Sequence, residues 1–258
     1  MFKVLFVLLL ASSVHADGLD YKVGAEARTI PQNATLFADG GYGYSVWGDA
    51  QPGKVFYGYI RPAVTLFAAG IVNAADVHLD LYPISFFGFT AGAFVDSRTG
   101  NVGSYQCSFV VCQGTVQGNY LKARLLYELA GVIFVGNASW KNLQAPASSQ
   151  AFLDEWSDLL GNPGGDTLMI QDYVLGYRID PQIFAGVDYR QQIMQGSRTN
   201  SVLLAAVASY NHADNHTDNH LDYKFTVGAG EYTDPTVAGN GVIFGRFEWF
   251  GLRAIGLN

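Results

Sequence analysis

The chain has 258 residues, of which 49% are hydrophobic, 14% are aromatic and only 14% are charged. A typical soluble domain has about 25% charged residues, so this composition supplies too few charges to cover an ordinary soluble surface. The formal net charge is -7, which argues against nucleic acid as a partner.

The first 16 residues have the features of an export signal. MFK supplies one positive charge, VLFVLLLA is a short apolar segment, and SSVHA ends in a small residue. This pattern predicts a cleaved signal peptide at 1–16, and residues 17–258 are predicted to form a single domain. After the signal, the sequence has no apolar run of about 18 residues, the length that a transmembrane helix needs.

Alternation of apolar and polar residues dominates the rest of the chain. In LDYKVGAEAR, Leu19, Tyr21 and Val23 share one face, and charged residues occupy the other. This pattern is typical of a β-strand with one apolar and one polar face. Twelve strands are predicted, at 19–28, 35–48, 53–69, 73–82, 86–96, 114–128, 132–140, 167–179, 183–194, 200–211, 221–232 and 241–253.

The strand pattern fits two architectures, a membrane barrel and a secreted β-sandwich. A sandwich turns its apolar face inward and needs charges outside, and 14% charged residues are too few for that. A barrel in lipid needs polar residues only on its inner face and in its loops. Short predicted turns alternate with long loops at 97–113 and 141–166, a habit of outer-membrane barrels. The sequence therefore predicts an all-β, antiparallel, up-and-down transmembrane barrel.

One short helix is predicted inside the long 141–166 loop. The segment SSQAFLDEWSDLLGN begins with serines that can cap a helix and has Gly161 as a stop signal. Phe152, Trp156 and Leu160 follow helical spacing. Such a helix could act as a lid or plug at the pore mouth, or it could rest on the barrel rim or the outer leaflet.

If the apolar face of each strand meets lipid, the opposite face lines the lumen. The predicted lumen-lining residues are Asp20, Lys22, Glu26, Arg28, Arg61, His78, Asp80, Lys122, Arg124, Glu128, Asp172, Arg178, Asp188, Arg190, Asp222, Lys224, Arg246 and Glu248. Their basic and acidic members are nearly balanced, so they do not indicate selection of one ion sign. Barrels of this size lie between filled small barrels and open porins. A channel and a structural barrel therefore stay open.

Together these features resemble a Gram-negative outer-membrane β-barrel protein of porin-like architecture. The resemblance is carried by the signal MFKVLFVLLLASSVHA, by strands such as LDYKVGAEAR, and by the closing strand GVIFGRFEWFG. It implies a bacterial outer-membrane location, contact with membrane lipid and lipopolysaccharide, and insertion by the barrel-assembly machinery. It also implies a narrow channel for small polar solutes, or a structural or surface-interaction barrel whose lumen is filled by salt bridges.

An enzyme is not expected, because the sequence has no P-loop, GxSxG, HExxH or EF-hand motif, and no cofactor is expected. The alternative is a lipid-acting hydrolase, since some outer-membrane barrels use a Ser–His pair. This alternative depends on His78, the only histidine in a predicted strand, because such a pair needs a base beside its nucleophile.

Two further motifs lie in predicted loops. Cys107 and Cys112 are the only cysteines, and an exported chain meets oxidising conditions, so a disulfide between them is predicted. The predicted strand count places the segment NHADNHTDNH, at 211–220, on the periplasmic side; if the count is off by one, the segment is an outer loop. Extended strands would give His212 the inward register of Lys224. A metal site is one interpretation of its imidazoles and carboxylates, but Asn/Asp-rich turns are ordinary, and no metal is predicted.

Overall fold

A computed structural model describes residues 18–29, 32–48, 56–100, 110–154, 156–212, 222–232 and 241–252. Within these ranges, no helix is long and apolar enough to span a membrane. The strands are β1 (Gly18–Thr29), β2 (Gln32–Gly48), β3 (Tyr57–Ala68), β4 (Val72–Ile84), β5 (Phe87–Arg98), β6 (Gly114–Leu129), β7 (Val132–Gln144), β8 (Phe152–Asp154), β9 (Leu159–Gly161), β10 (Gly165–Arg178), β11 (Ile183–Met194), β12 (Asn200–His212), β13 (Asp222–Tyr232) and β14 (Gly241–Leu252). The predicted signal peptide and Cys107 lie outside the described residues.

All of these strands except β8 and β9 form one closed antiparallel barrel. They follow one another around the ring in chain order, and β14 pairs with β1 to close it, with Val23 opposite Trp249. The predicted up-and-down barrel is therefore confirmed. Closure matters because an unpaired strand edge would expose backbone N–H and C=O groups that lipid cannot bond.

The outward face of the barrel is apolar and exposed. Leu36, Val77 and Ile243 are each more than 60% exposed, and many other large apolar side chains share this face. A continuous apolar surface of this extent needs a membrane or a partner to cover it, and closed barrels with an apolar outer band are the strand-built solution to crossing a bilayer. The chain is thus a transmembrane barrel of the bacterial outer-membrane type.

The two longest connections lie at one end of the barrel, although both ends also have short connections. The two-residue turns 85–86 and 130–131 lie at one end, which we call the short-turn end, whereas 99–113 and 145–164 lie at the other, the long-loop end. In the tight turn between β6 and β7, Ala130 and Gly131 both have positive φ, at 51° and 82°. This geometry matches the right-handed twist of a two-residue hairpin.

The predicted helix in the 141–166 loop is wrong. The segment forms a hairpin instead, in which β8 pairs with β9 and Phe152 lies opposite Gly161. Asp154 organises its turn, because Oδ2 accepts bonds from the N–H and the hydroxyl of Ser157 at 2.9 and 2.6 Å. An extended hairpin forms because the surrounding barrel offers apolar contacts to its side chains, and such tertiary contacts override local helix propensity.

Candidate functional site

An ion-pair cluster on Arg61, the Arg61 cluster, occupies one wall of the lumen. Arg61 lies on the inner face of β3, and its Nη2 is 2.6 Å from Oδ1 of Asp20 on β1 and 2.5 Å from Oδ1 of Asp39 on β2. Its Nη1 is 3.3 Å from Oδ2 of Asp80 on β4. A guanidinium carries five donors in a planar fork, so one side chain can serve carboxylates from three strands.

Threonine hydroxyl groups donate hydrogen bonds to the carboxylate oxygens of Asp39 and Asp80 that Arg61 does not contact. Thr65 donates to Oδ2 of Asp39 at 2.6 Å, and Thr90 donates to Oδ1 of Asp80 at 2.6 Å. Both carboxylates are therefore held from two sides. This arrangement keeps them against the wall of the barrel.

His78 extends the same wall on β4. Its Nδ1 lies 2.6 Å from Asp76 Oδ1, and its Nε2 lies 3.9 and 3.8 Å from oxygens of Asp39 and Asp80. Tyr120 also donates to Asp76, at 3.0 Å. Within the described residues, the polar contacts of His78 are thus carboxylates, and the side chain faces the lumen rather than lipid. These are the surroundings of a lumen ion pair, and among the described residues no serine hydroxyl is within hydrogen-bond distance of His78.

A second charged cluster joins β14 to β1. Glu248 accepts from Lys22 at 3.4 Å and from Nη2 of Arg246 at 3.0 Å. The other terminal nitrogen of Arg246 lies 3.2 Å from Glu26. The strand that closes the barrel is therefore tied to the first strand by side chains as well as by the backbone ladder.

Three further ion pairs lie on β6, β10 and β11. Arg190 on β11 is 3.7 Å from Asp172 and 3.6 Å from Asp188. Arg178 pairs with Glu128 at 2.8 Å near the short-turn end, where both side chains are more exposed. Charged side chains thus reach the lumen from most of the circumference.

On their strands, the predicted lumen residues share the face opposite the exposed apolar side chains, and their lining of an open lumen stays a prediction. Asp222 is the exception that cannot be assigned, because its side chain lies outside the described residues. Sequence reasoning missed six further inward charges within the described residues. They are Asp39, Asp76, Asp96, Arg98, Lys141 and Asp166.

The β8–β9 hairpin lies inside the long-loop end of the lumen. Phe152 and Leu159 are 1% and 2% exposed. They pack in one cluster with inward apolar residues of β6, β7, β10 and β11. Those residues are Val116, Leu143, Leu168 and Met194. The hairpin is thus fixed to one half of the barrel by apolar burial.

Trp156, in the turn of the hairpin, reaches the opposite half. Its indole nitrogen donates to Oδ2 of Asp96 on β5 at 3.0 Å. Its ring meets Phe67 of β3 edge to face, with centroids 5.2 Å apart. Its carbonyl oxygen accepts from Arg28 of β1 at 3.3 Å. Because the hairpin touches strands on both sides of the ring, it crosses the bore.

Hydroxyl groups of the β11–β12 turn fasten the second strand of the hairpin. The carbonyl oxygen of Leu160 accepts from Ser197 at 2.6 Å and from Thr199 at 2.8 Å. Asp166 joins the same turn to the base of the hairpin, since it accepts from the N–H groups of Asn162 and Gly196 at 3.1 and 2.7 Å. The hairpin is thus held by side-chain contacts outside the barrel ladder.

The histidine-rich segment contributes no described lumen site. His212 pairs with Tyr223 across β12 and β13, and the two rings stack with centroids 4.9 Å apart. Both lie on the outward face, so the inward register expected for His212 is wrong. Residues 213–220 lie outside the described residues. In the part of the chain that the structure describes, no group of three or more His, Cys, Asp or Glu residues could hold a metal ion.

Three solved structures illustrate the similarity of this barrel to known ones. The KdgM porin has a TM-score of 0.44 and 9% identity, over 89% of this chain and 98% of that chain. The NanC porin has 0.43 and 10%, over 90% and 99%. The β domain of the Bordetella autotransporter BrkA has 0.49 and 11%, over 92% and 99%. These similarities concern the barrel fold alone. No family model and no curated protein matches the chain.

Proposed function

We propose that the chain is a narrow outer-membrane channel for small polar solutes, constricted at its long-loop end by the β8–β9 hairpin. The observation that carries this proposal is a pair of inward lysines, Lys122 on β6 and Lys224 on β13. Neither has a carboxylate in ion-pair contact among the described residues. Both are shielded by the barrel wall and only partly exposed.

Unpaired ammonium groups require water. The transfer of an ammonium group from water into a dry interior without a partner costs several kcal/mol. A dry lumen filled by salt bridges would impose this cost at both Lys122 and Lys224. Water in the lumen removes the cost, since it can bond each ammonium. A hydrated lumen that runs through the bilayer is an aqueous path for small polar solutes.

The hairpin sets the width of that path at one end. It crosses the bore, yet within the described residues its strands pair only with each other and, through an isolated bridge between Phe152 and Val111, with the β5–β6 connection. It contributes nothing to the ladder of the twelve barrel strands. Deleting it should therefore widen the lumen and leave the barrel folded.

Conductance in planar bilayers tests this proposal. The full chain should give discrete, small conductance steps, and a variant with residues 147–162 replaced by a short Gly-Ser linker should give larger ones. Heat-modifiable migration on a gel verifies that both barrels are folded. Equal step sizes would remove the role of the hairpin, and silence from both folded proteins would remove the channel.

A structural or surface-interaction barrel is the second candidate function. It is favoured by the apolar packing of Phe152 and Leu159, which fills part of the long-loop end. This candidate predicts no conductance from either folded protein, and it predicts that deleting the 145–164 connection abolishes a surface interaction. Contact with lipopolysaccharide and insertion by the barrel-assembly machinery accompany both candidates.

A further inference from the structure

The charges of the lumen are unevenly neutralised. Within the described residues, each inward carboxylate has an ion pair or a hydrogen bond. The group comprises Asp20, Glu26, Asp39, Asp76, Asp80, Asp96, Glu128, Asp166, Asp172, Asp188 and Glu248. Four inward cations have no carboxylate in ion-pair contact in the same ranges: Lys122, Arg124, Lys141 and Lys224. The charge left without a partner is therefore positive.

Two of these cations stand together on β6. Lys122 and Arg124 are two residues apart, and they therefore share the inner face of the strand. Their cross-strand neighbours are uncharged: Lys122 lies opposite Thr90 and Ser139. The Nε atom of Arg124 is buried and has no hydrogen-bond partner among the described residues. Arg124 lies opposite Gly88 and Asn137, so the described cross-strand neighbours of this pair supply no counter-charge.

Lys224 faces this pair from the far wall. β6 and β13 are five strands apart in a ring of twelve, so they are nearly opposite. Lys224 lies on the inner face of β13, as Lys122 and Arg124 lie on the inner face of β6. Its cross-strand neighbour Glu248 is already paired with Lys22 and Arg246. Cations therefore project toward each other from opposite sides of the bore.

We propose that the lumen selects small anions and that Lys122, Arg124 and Lys224 form the selecting site. This inference rests on the proposed channel function. Rings of lysine and arginine side chains select anions because a passing anion replaces part of its hydration with these charges. The net charge of -7 would by itself disfavour anions, so the proposed selectivity does not follow from the overall charge of the chain. It follows because, among the residues that the structure describes, the lumen carboxylates are bonded whereas Lys122, Arg124 and Lys224 have no ion pair.

Reversal potentials test the selectivity. The full chain in a planar bilayer under a KCl gradient should show a reversal potential of the sign for chloride permeation. A triple variant with Lys122→Gln, Arg124→Gln and Lys224→Gln should lose this preference several-fold, and each single variant should lose part of it. The control is Arg178→Gln, which removes one positive charge, as each single variant does, but from a residue that is paired with Glu128. It should keep the chloride preference.

The outcomes separate the inference from the proposed function. A conducting protein without preference, or with preference for potassium, overturns the inference and leaves the channel intact. A silent, folded protein overturns both. If the triple variant lacks the heat-modifiable shift of a folded barrel, the unmodified chain and Lys122→Gln decide the question. An unchanged reversal potential in folded Lys122→Gln and in the folded triple variant would also overturn the assignment to these residues.

Discussion

Trp156 donates its indole N–H to Oδ2 of Asp96 at 3.0 Å, which ties the turn of the β8–β9 hairpin to the inner face of β5. Asp96 is 1% exposed, and its other oxygen has no hydrogen-bond partner among the described residues. A buried carboxylate with so few partners is costly to leave unbonded. The bond therefore stabilises both the aspartate and the seated position of the hairpin.

Trp156→Ala should raise the single-channel conductance. The substitution removes the bond to Asp96 and the edge-to-face contact with Phe67, so the turn loses contacts on the far wall of the bore. The barrel ladder should be unaffected, because the hairpin lies outside it. The matched control is Trp140→Ala on the outward face of β7, where the ring is 42% exposed. Equal conductance in Trp156→Ala and the unmodified protein would contradict the role of this contact.

Phe152→Ala should loosen the other side of the hairpin. The ring is 1% exposed in an apolar cluster, and truncation of a buried Phe to Ala costs about 3–5 kcal/mol. Here the substitution should destabilise the packing of the hairpin against the barrel wall and leave the barrel itself folded. Protease added to the long-loop end should therefore cleave within 145–164 faster. Phe225→Ala, on the outward face, is the control. Unchanged cleavage would mean that the cluster does not hold the hairpin.

The barrel strands were predictable because lipid and lumen impose opposite demands on alternate residues. In a strand such as 19–28, the alternation of apolar and polar residues by itself indicates which side chains face lipid and which face the lumen. The hairpin was not predictable in this way, because its fold depends on an apolar cluster with residues of β6, β7, β10 and β11, which lie outside the segment itself. Phe152, Trp156 and Leu160 match helical spacing. In the structure, however, Phe152 packs in this apolar cluster and Trp156 contacts the opposite wall of the barrel.

The charged residues of the site were only partly predictable. Asp39 was missed because it lies in the glycine-rich β2, where alternation is weak. Lys141 was missed because the predicted strand ended at 140, whereas β7 continues to Gln144. Asp76 could have been found, since it shares its parity with His78 and Asp80. Which charges pair across strands depends on register, and that information is absent from any single strand.

Arg61→Met should destabilise the barrel more than any exposed charge deletion. It leaves Asp20, Asp39 and Asp80 without their guanidinium, and breaking a buried ion pair costs about 3–5 kcal/mol. Urea unfolding of the barrel in lipid vesicles measures this loss. Arg178→Met breaks the more exposed pair with Glu128, and such pairs contribute about 0–1 kcal/mol. Similar losses for both variants would show that the Arg61 cluster is not a special source of stability.

The exported protein should contain no reactive thiol, since Cys107 and Cys112 are predicted to form a disulfide. Alkylation without reductant, followed by mass spectrometry, should find neither cysteine modified, and alkylation after reduction should modify both. A six-residue loop gains about 2 kcal/mol from such a bridge in the chain-entropy model, so Cys107→Ser should leave the barrel folded. Modification of both cysteines before reduction would exclude the bridge.

The histidine-rich segment NHADNHTDNH tests the orientation of the barrel. β12 ends, and β13 begins, at the short-turn end, on the same side as the turns 85–86 and 130–131. Short turns face the periplasm in outer-membrane barrels. An epitope tag inserted at 215 should therefore be protected from protease added to intact cells, whereas a tag at 148, in the hairpin connection, should be cleaved. The reverse result would mean that the barrel inserts with its long loops facing the periplasm, and the hairpin would then constrict the periplasmic mouth of the lumen.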